Sequence, residues 1–200
     1  MQKIGIYGGT FNPVHLGHVS LAKRFRKALG LDTVFLIPTA TPPHKVRSDL
    51  ADGDERYEMC KLAVEGEEGL DVSDVELIRG GKSYTVDTLL EFHRRYPDSA
   101  LYLITGADMF LTLEQWYRFG DIAHLAVLCA APRDEDSAED LYQYADRLRA
   151  VYGARTAVVN FPLLPISSTL VRDRLRAGEP VDGLVPQAVK QYVYERGLYQ

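Results

Sequence analysis

Gly8-Gly9-Thr10-Phe11-Asn12-Pro13-Val14-His15-Leu16-Gly17-His18 decides how the rest of the chain is read. It follows Ile4-Gly5-Ile6-Tyr7, a short apolar run that reads as a buried strand. Behind it, His18, Ala22, Phe25 and Leu29 recur at steps of four, three and four, so they share one helix face. Strand, glycine turn and helix, in that order, aim backbone N–H groups and a helix N-terminus at an anion. The run lacks the Gly-x-x-x-x-Gly-Lys-Ser/Thr of a P-loop and the Gly-x-Gly-x-x-Gly of a dinucleotide fingerprint. In their place stand His15 and His18, three apart at the helix mouth. Imidazoles there can donate hydrogen bonds to phosphate oxygens, and each can become cationic when an anion raises its pKa.

Outward from this turn, strands and helices alternate. Strands are expected over Lys3–Tyr7, Thr33–Ile37, Leu70–Ser73, Ala100–Thr105, Leu125–Ala130 and Thr156–Val159. Helices are expected over about His15–Leu29, Glu55–Glu65, Tyr84–Tyr96, Ser137–Tyr152, Ser168–Ala177 and Pro186–Glu195. Short, continuously apolar strands between helices indicate an α/β fold, a parallel sheet covered on both faces. Ligands of such sheets sit at the carboxyl ends of the strands, near a topological switch. The first strand ends at Gly8-Gly9, which places the expected site. The polar stretch Pro38–Asp54 is long for a loop in a compact domain, and loops of that length are often lids or ligand loops.

Composition narrows the function. The 200 residues suit one domain. With 46 % hydrophobic and 26 % charged residues the composition is that of an ordinary soluble protein. A net charge of −5 argues against a nucleic-acid polymer as partner but not against a small anion met by local cations. Cys60 and Cys129 form no CxxC and no metal cluster, and Cys129 reads as a core thiol, consistent with a reducing cytoplasm. Met-Gln-Lys-Ile-Gly runs straight into a strand, so no signal peptide is expected. No apolar run approaches a membrane span.

Four further blocks can carry chemistry. Ile166-Ser167-Ser168-Thr169-Leu170-Val171-Arg172 reads as a helix cap, with Arg172 one turn inside. It offers either a plain N-terminus or hydroxyls and a fixed cation for a phosphate. Thr41-Pro42-Pro43-His44-Lys45 follows the second strand, where Lys45 can neutralise a phosphate or remain solvated. Gly106-Ala107-Asp108 ends a strand, and Asp108 can accept ribose hydroxyls or simply start a helix. Trp116 is the sole tryptophan, suited either to the core or to stacking on a cationic aromatic ring. Arg56 and Arg133 have a bland reading as solvated charges and are left out of the site.

The first stretch resembles the (H/T)xGH signature of the nucleotidyltransferase family. The block at 166–172 is similar to that family's ISSTxxR motif without departure, and Pro42-Pro43-His44-Lys45 resembles its PPHK element. Taken with the other blocks, the resemblance covers most of the chain and runs to the bacterial nicotinate-nucleotide adenylyltransferases. It implies a single Rossmann-like doubly wound domain over residues 1–200, its C-terminal helical part (about 160–200) carrying the ISSTxxR motif. It implies transfer of the adenylyl group of ATP to nicotinate mononucleotide, giving deamido-NAD and pyrophosphate in the cytoplasm. Carried over residue by residue, Gly8, Gly9, Thr10, Phe11, His18, Gly106, Asp108 and 166–169 with Arg172 would hold ATP. His44, Lys45, Tyr84, Thr85, Trp116 and Tyr117 would hold the mononucleotide, backbone amides receiving the carboxylate. His15, His18, Lys45 and Arg172 would stabilise the reacting phosphates. Magnesium would arrive on ATP, with no dedicated protein metal site, in a monomer or homodimer with no nucleic-acid or membrane partner. The rivals are another family member, such as phosphopantetheine adenylyltransferase, a nicotinamide-preferring enzyme, and a nucleotide sensor without turnover.

Overall fold

The strands alternate their side chains between two cores. In β1 (Gln2–Gly9), Ile4 and Ile6 enter one core and Tyr7 the other. In β4 (Ser99–Gly106), Leu101 and Leu103 face the first of these and Ile104 the second. In β5 (Ala126–Ala131), Ala126, Leu128 and Ala130 are divided in the same way from Cys129 and Ala131. A sheet apolar on both faces must be covered on both. With β2 (Thr33–Pro38), β3 (Leu70–Val72) and β6 (Arg155–Val158), these strands form one sheet in the order β3-β2-β1-β4-β5-β6, every pair parallel. The computed structural model describes residues 1–41, 49–132 and 136–200, without the side chains of 136 and 137. The expected roles of His44 and Lys45 therefore fall outside the described residues, as does Arg133.

Four helices cover one face: α1 (Leu16–Leu29), α2 (Gly53–Val64), α8 (Ser168–Arg176) and α9 (Gln187–Glu195). Phe25, Met59, Val171 and Val189 are their buried contributions. The other face carries α3 (Val75–Arg79), α4 (Thr85–Arg95), α5 (Ala107–Phe110), α6 (Phe119–Leu125) and α7 (Asp136–Tyr152). Leu89, Phe110, Ile122 and Leu141 lie in that core. The chain winds outward from β1 to β3, then returns to β4 on the opposite side of β1. The seam between β1 and β4 is therefore the switch point, and Gly8-Gly9 and Thr105-Gly106 lie at its carboxyl end.

All six expected strands and all six expected helices are present, with ends shifted by at most two residues. The helices α3, α5 and α6 and a 3-10 turn at Leu113–Gln115 were not expected. Each is seven residues or shorter, too brief to show a helical period. Among the described residues no helix is long and apolar enough to cross a membrane. Cys60 and Cys129 are both free and buried, and burial raises both thiols far above their ordinary pKa.

Candidate active site

A cavity of about 580 Å3 opens at the β1/β4 seam. Gly8, Gly9, Thr10 and Gly106 form one part of its wall, and Tyr84, Thr85, Trp116 and Tyr117 another. The seam thus joins the glycine turn to an aromatic wall that lies far from it in sequence. Trp116 and Tyr84 are partly buried against the core under α3–α7, while Tyr117 is 56 % exposed. The Tyr84 and Tyr117 rings meet at 4.6 Å between centroids, tilted by 41°.

Gly8 and Gly9 differ in what they permit. A Cβ on Gly8 would meet nothing within 4 Å, so Gly8 leaves its side of the cavity open. A Cβ on Gly9 would come within 2.9 Å of the Phe11 ring. The Phe11 ring is therefore reason enough for glycine at 9. Phe11 itself has φ +48, a left-handed conformation that costs a bulky residue about 1–3 kcal/mol. Its ring lies edge-on to Tyr7 at 5.5 Å and to His18 at 5.0 Å, and it helps fix the second imidazole.

His15 and His18 meet at the start of α1. His15 is the N-cap residue and 5 % exposed. Its backbone N–H donates to His18 Nδ1 at 3.2 Å, which leaves the Nε2 of a neutral His18 to carry the ring proton. Burial lowers the pKa of His15 to about 4. Burial, then the proximity of His15, lowers that of His18 well below the ordinary value. Both rings are thus held neutral at pH 7 by burial, and the cationic form expected from the sequence depends on an anion raising their pKa.

The block at 166–172 packs onto this turn. Ser168 Oγ donates to Pro13 O at 2.8 Å, and Ile166 O lies 3.5 Å from where a Cβ on Gly17 would be. Ser167 Oγ caps α8 by accepting from Leu170 N at 3.1 Å. Arg172, expected as a fixed cation for a phosphate, is 3 % exposed. It donates to Asn12 O at 2.7 Å, Asp49 Oδ2 at 3.0 Å and Thr169 Oγ1 at 3.4 Å. It straps α8 to the glycine turn instead of facing the cavity. Asn12 is the centre of the strap, accepting on Oδ1 from Ala51 N and the Tyr199 hydroxyl and donating to Asp49 O. Asp108 starts α5 and is exposed, outside the lining of the cavity.

Two residues outside the sequence-based set are built into the site. Arg56, read from sequence as a solvated charge, is 1 % exposed and lies behind the glycine turn. Glu76, on the short α3, is buried against the cavity and accepts from Thr88 Oγ1 at 2.6 Å, which in turn accepts from Arg79 at 3.0 Å. Burial raises the pKa of Glu76, opposed by its hydrogen-bonding neighbours and Arg79. The network ties α3 to the first turn of α4. Tyr84, the N-cap of α4, makes no side-chain capping hydrogen bond, and Tyr84, Thr85 and Thr88 of that helix end line the cavity.

Residues 6–174 match the Cytidylyltransferase-like family model. The chain is 37 % identical over 202 residues to the nicotinate-nucleotide adenylyltransferase of Bacillus subtilis, covering 100 % of both chains. It is 39 % identical over 199 residues to a Desulfitobacterium hafniense protein named "Probable nicotinate-nucleotide adenylyltransferase", covering 100 % of this chain and 96 % of the other. The fold matches that of Plasmodium falciparum nicotinic acid mononucleotide adenylyltransferase complexed with NaAD, with a TM-score of 0.80 at 16 % identity, covering 100 % of this chain and 98 % of that one. A six-stranded parallel sheet with its glycine turn at the switch point, and relatives of this identity along its whole length, place this chain in the Cytidylyltransferase-like family and, within it, among the nicotinate-nucleotide adenylyltransferases.

Proposed function

We propose that the chain transfers the adenylyl group of ATP to nicotinate mononucleotide, giving deamido-NAD and pyrophosphate, by electrostatic positioning without a covalent intermediate. The observation that carries this reading is the single cavity whose wall includes both the glycine turn and the Tyr84–Trp116–Tyr117 aromatic group. It is the right arrangement for a polyphosphate at one end and a pyridinium ring at the other. The acceptor phosphate has a second pKa near 6, as phosphoamino acids do, so at pH 7 it is mostly a dianion and needs no general base. Its oxygen bonds to the α-phosphorus of ATP while the bond from that phosphorus to the bridging oxygen breaks. Pyrophosphate then leaves with the electron pair.

The chain's task is to meet developing negative charge with donors already in place. Neutral His18 supplies Nε2–H, its orientation set by the His15 N–H and the Phe11 ring. The N-termini of α1 and α8 add aligned backbone dipoles. By the family resemblance, Lys45 and His44 would serve the mononucleotide phosphate. The pyridinium ring stacks on Trp116, and its carboxylate meets the uncapped N-terminus of α4. Magnesium carried by ATP would supply further screening of the triphosphate charge.

The test is pyrophosphate release from ATP with a panel of mononucleotides. Turnover should be highest with nicotinate mononucleotide. A preference for the nicotinamide form would overturn the proposed role of the α4 N-terminus, and no release with any acceptor would leave a binding protein.

A further inference from the structure

Arg56 is among the largest fully buried side chains of the protein, and the reaction as described does not use it. It stands in the first turn of α2 and reaches beneath the site. Its Nε donates to Ala51 O at 2.9 Å, one terminal nitrogen to Thr10 O at 2.9 Å, and the other to Thr39 O at 2.7 Å and Ala40 O at 3.4 Å. Among the described residues every one of these acceptors is a backbone carbonyl. Burial lowers its pKa, with Tyr199, Cys60 and Asp52 acting the other way from a distance, yet arginine keeps its proton in proteins. A buried cation is costly unless it is paired, and carbonyl dipoles compensate it only in part. A core position alone would be better filled by an apolar side chain of that volume.

The acceptors show what the charge is for. Thr10 follows β1 and Thr39 follows β2, and both line the cavity. Thr39 N also donates to Gly9 O, so the two strand ends are joined twice. A carbonyl facing the cavity would repel a polyanion, and the guanidinium turns these carbonyls away from it. In a trans peptide the N–H points opposite to the C=O, so holding Thr10 O on Arg56 aims the Phe11 N–H away from the guanidinium.

We propose that Arg56 is a positioning residue of the polyphosphate subsite, fixing the Thr10 and Thr39 carbonyls inward and holding a positive charge, without a carboxylate partner among the described residues, behind the wall that the triphosphate meets. This rests on ATP being the nucleotide donor and on the glycine turn being its phosphate cradle. It assigns the residue first to the nucleotide donor, because its acceptors Thr10 and Thr39 stand at the strand ends beside the glycine turn, whereas it reaches the aromatic wall only indirectly, through Ala40, whose N–H donates to Ser83 Oγ next to Tyr84.

The experiment compares Arg56→Gln and Arg56→Lys with the unaltered protein. It measures KM for each substrate and the thermal shift produced by inorganic pyrophosphate alone. The expected result is a rise of at least tenfold in KM for ATP and loss of most of the pyrophosphate shift in Arg56→Gln. KM for nicotinate mononucleotide should change less than threefold, and Arg56→Lys should recover part of both losses. Equal effects on both KM values, or an unchanged pyrophosphate shift, would overturn the proposal. If Arg56→Gln does not fold, Arg56→Lys decides by the same split, and a failure of both to fold would make Arg56 a core residue only. If the unaltered protein binds pyrophosphate but transfers no adenylyl group, the proposed reaction falls while the pyrophosphate shift still tests Arg56.

Discussion

His15 and His18 stack face to face, with ring centroids 3.6 Å apart and planes 25° from parallel. Two protonated imidazoles at that distance would repel each other strongly, and burial already disfavours charging either one. Burial and stacking therefore favour the neutral form of both rings. His18→Ala is expected to lower kcat by about 10²–10³, the usual effect of deleting one preorganised donor, with the circular dichroism spectrum unchanged. A loss below tenfold would place the imidazole away from the reacting phosphorus.

The same stack explains Gly17. A Cβ there would come within 2.9 Å of His15 Nδ1 and 3.0 Å of Cε1. The His15 ring is buried beneath its partner and has little room to yield. Gly17→Ala should therefore destabilise the fold by about 1–3 kcal/mol through overpacking and reduce turnover at least tenfold by tilting the pair. Chemical denaturation together with steady-state kinetics checks both effects.

Stability should fall in weak acid. The pKa of His15 is lowered from 6.5 in the unfolded chain to about 4 in the fold, so between these values the unfolded state binds more protons. Below about pH 6.5 the fold loses stability, and the loss levels off near pH 4, at about 3 kcal/mol for His15 alone. His18 acts in the same direction. Denaturant midpoints between pH 7 and pH 4 should show the fall, and His15→Gln should flatten it.

Trp116 tests the aromatic wall. If the indole stacks on the pyridinium ring, Trp116→Ala should raise KM for the mononucleotide about thirtyfold, equivalent to about 2 kcal/mol, and leave KM for ATP nearly unchanged. Equal changes in both would mean that the indole only supports the fold.

Arg172 separates a strap from a phosphate ligand. Arg172→Met leaves Asn12 O without its donor and Asp49 with Arg176 alone. Breaking a buried charged tie costs about 3–5 kcal/mol, and the lower end is expected because Asp49 keeps a partner. A thermal midpoint unmoved by the change would remove the strap.

Much of this arrangement is legible in the chain itself, and its gaps have a common cause. The 4-3-4 spacing from His18 to Leu29 and the apolar run before Gly8 gave α1 and β1 because each is long enough to show its period. The five residues of α3 and the four of α5 show none, so Glu76 went unnoticed with its helix. Arg56 was misread for another reason. It is flanked by Glu55, Tyr57 and Glu58, as a solvated residue would be, and its partners are main-chain carbonyls of Thr10, Thr39, Ala40 and Ala51. Every residue has a carbonyl, so no side-chain pattern marks where several of them converge. Arg172 is expected from the sequence one turn inside α8 as a cation for a phosphate, and the structure sets it on the glycine turn, where what it touches depends on Asp49 and Asn12, up to 160 positions away.

The two faces of the sheet divide the proposed substrates between them. The helices that carry His15, His18, Arg56 and the 166–172 block all pack on the Phe25 and Met59 side. Tyr84, Trp116 and Glu76 belong to the helices and turns of the Leu89 and Phe110 side. Only the strand edges at the seam are common property. An adenylyl-donor half can thus stay unaltered while the opposite layer is remodelled around a new acceptor. Exchanging α3, α4 and the 112–119 segment as one block, with Asp108 left in place, is the natural cut for redirecting such a protein to a different phosphate monoester.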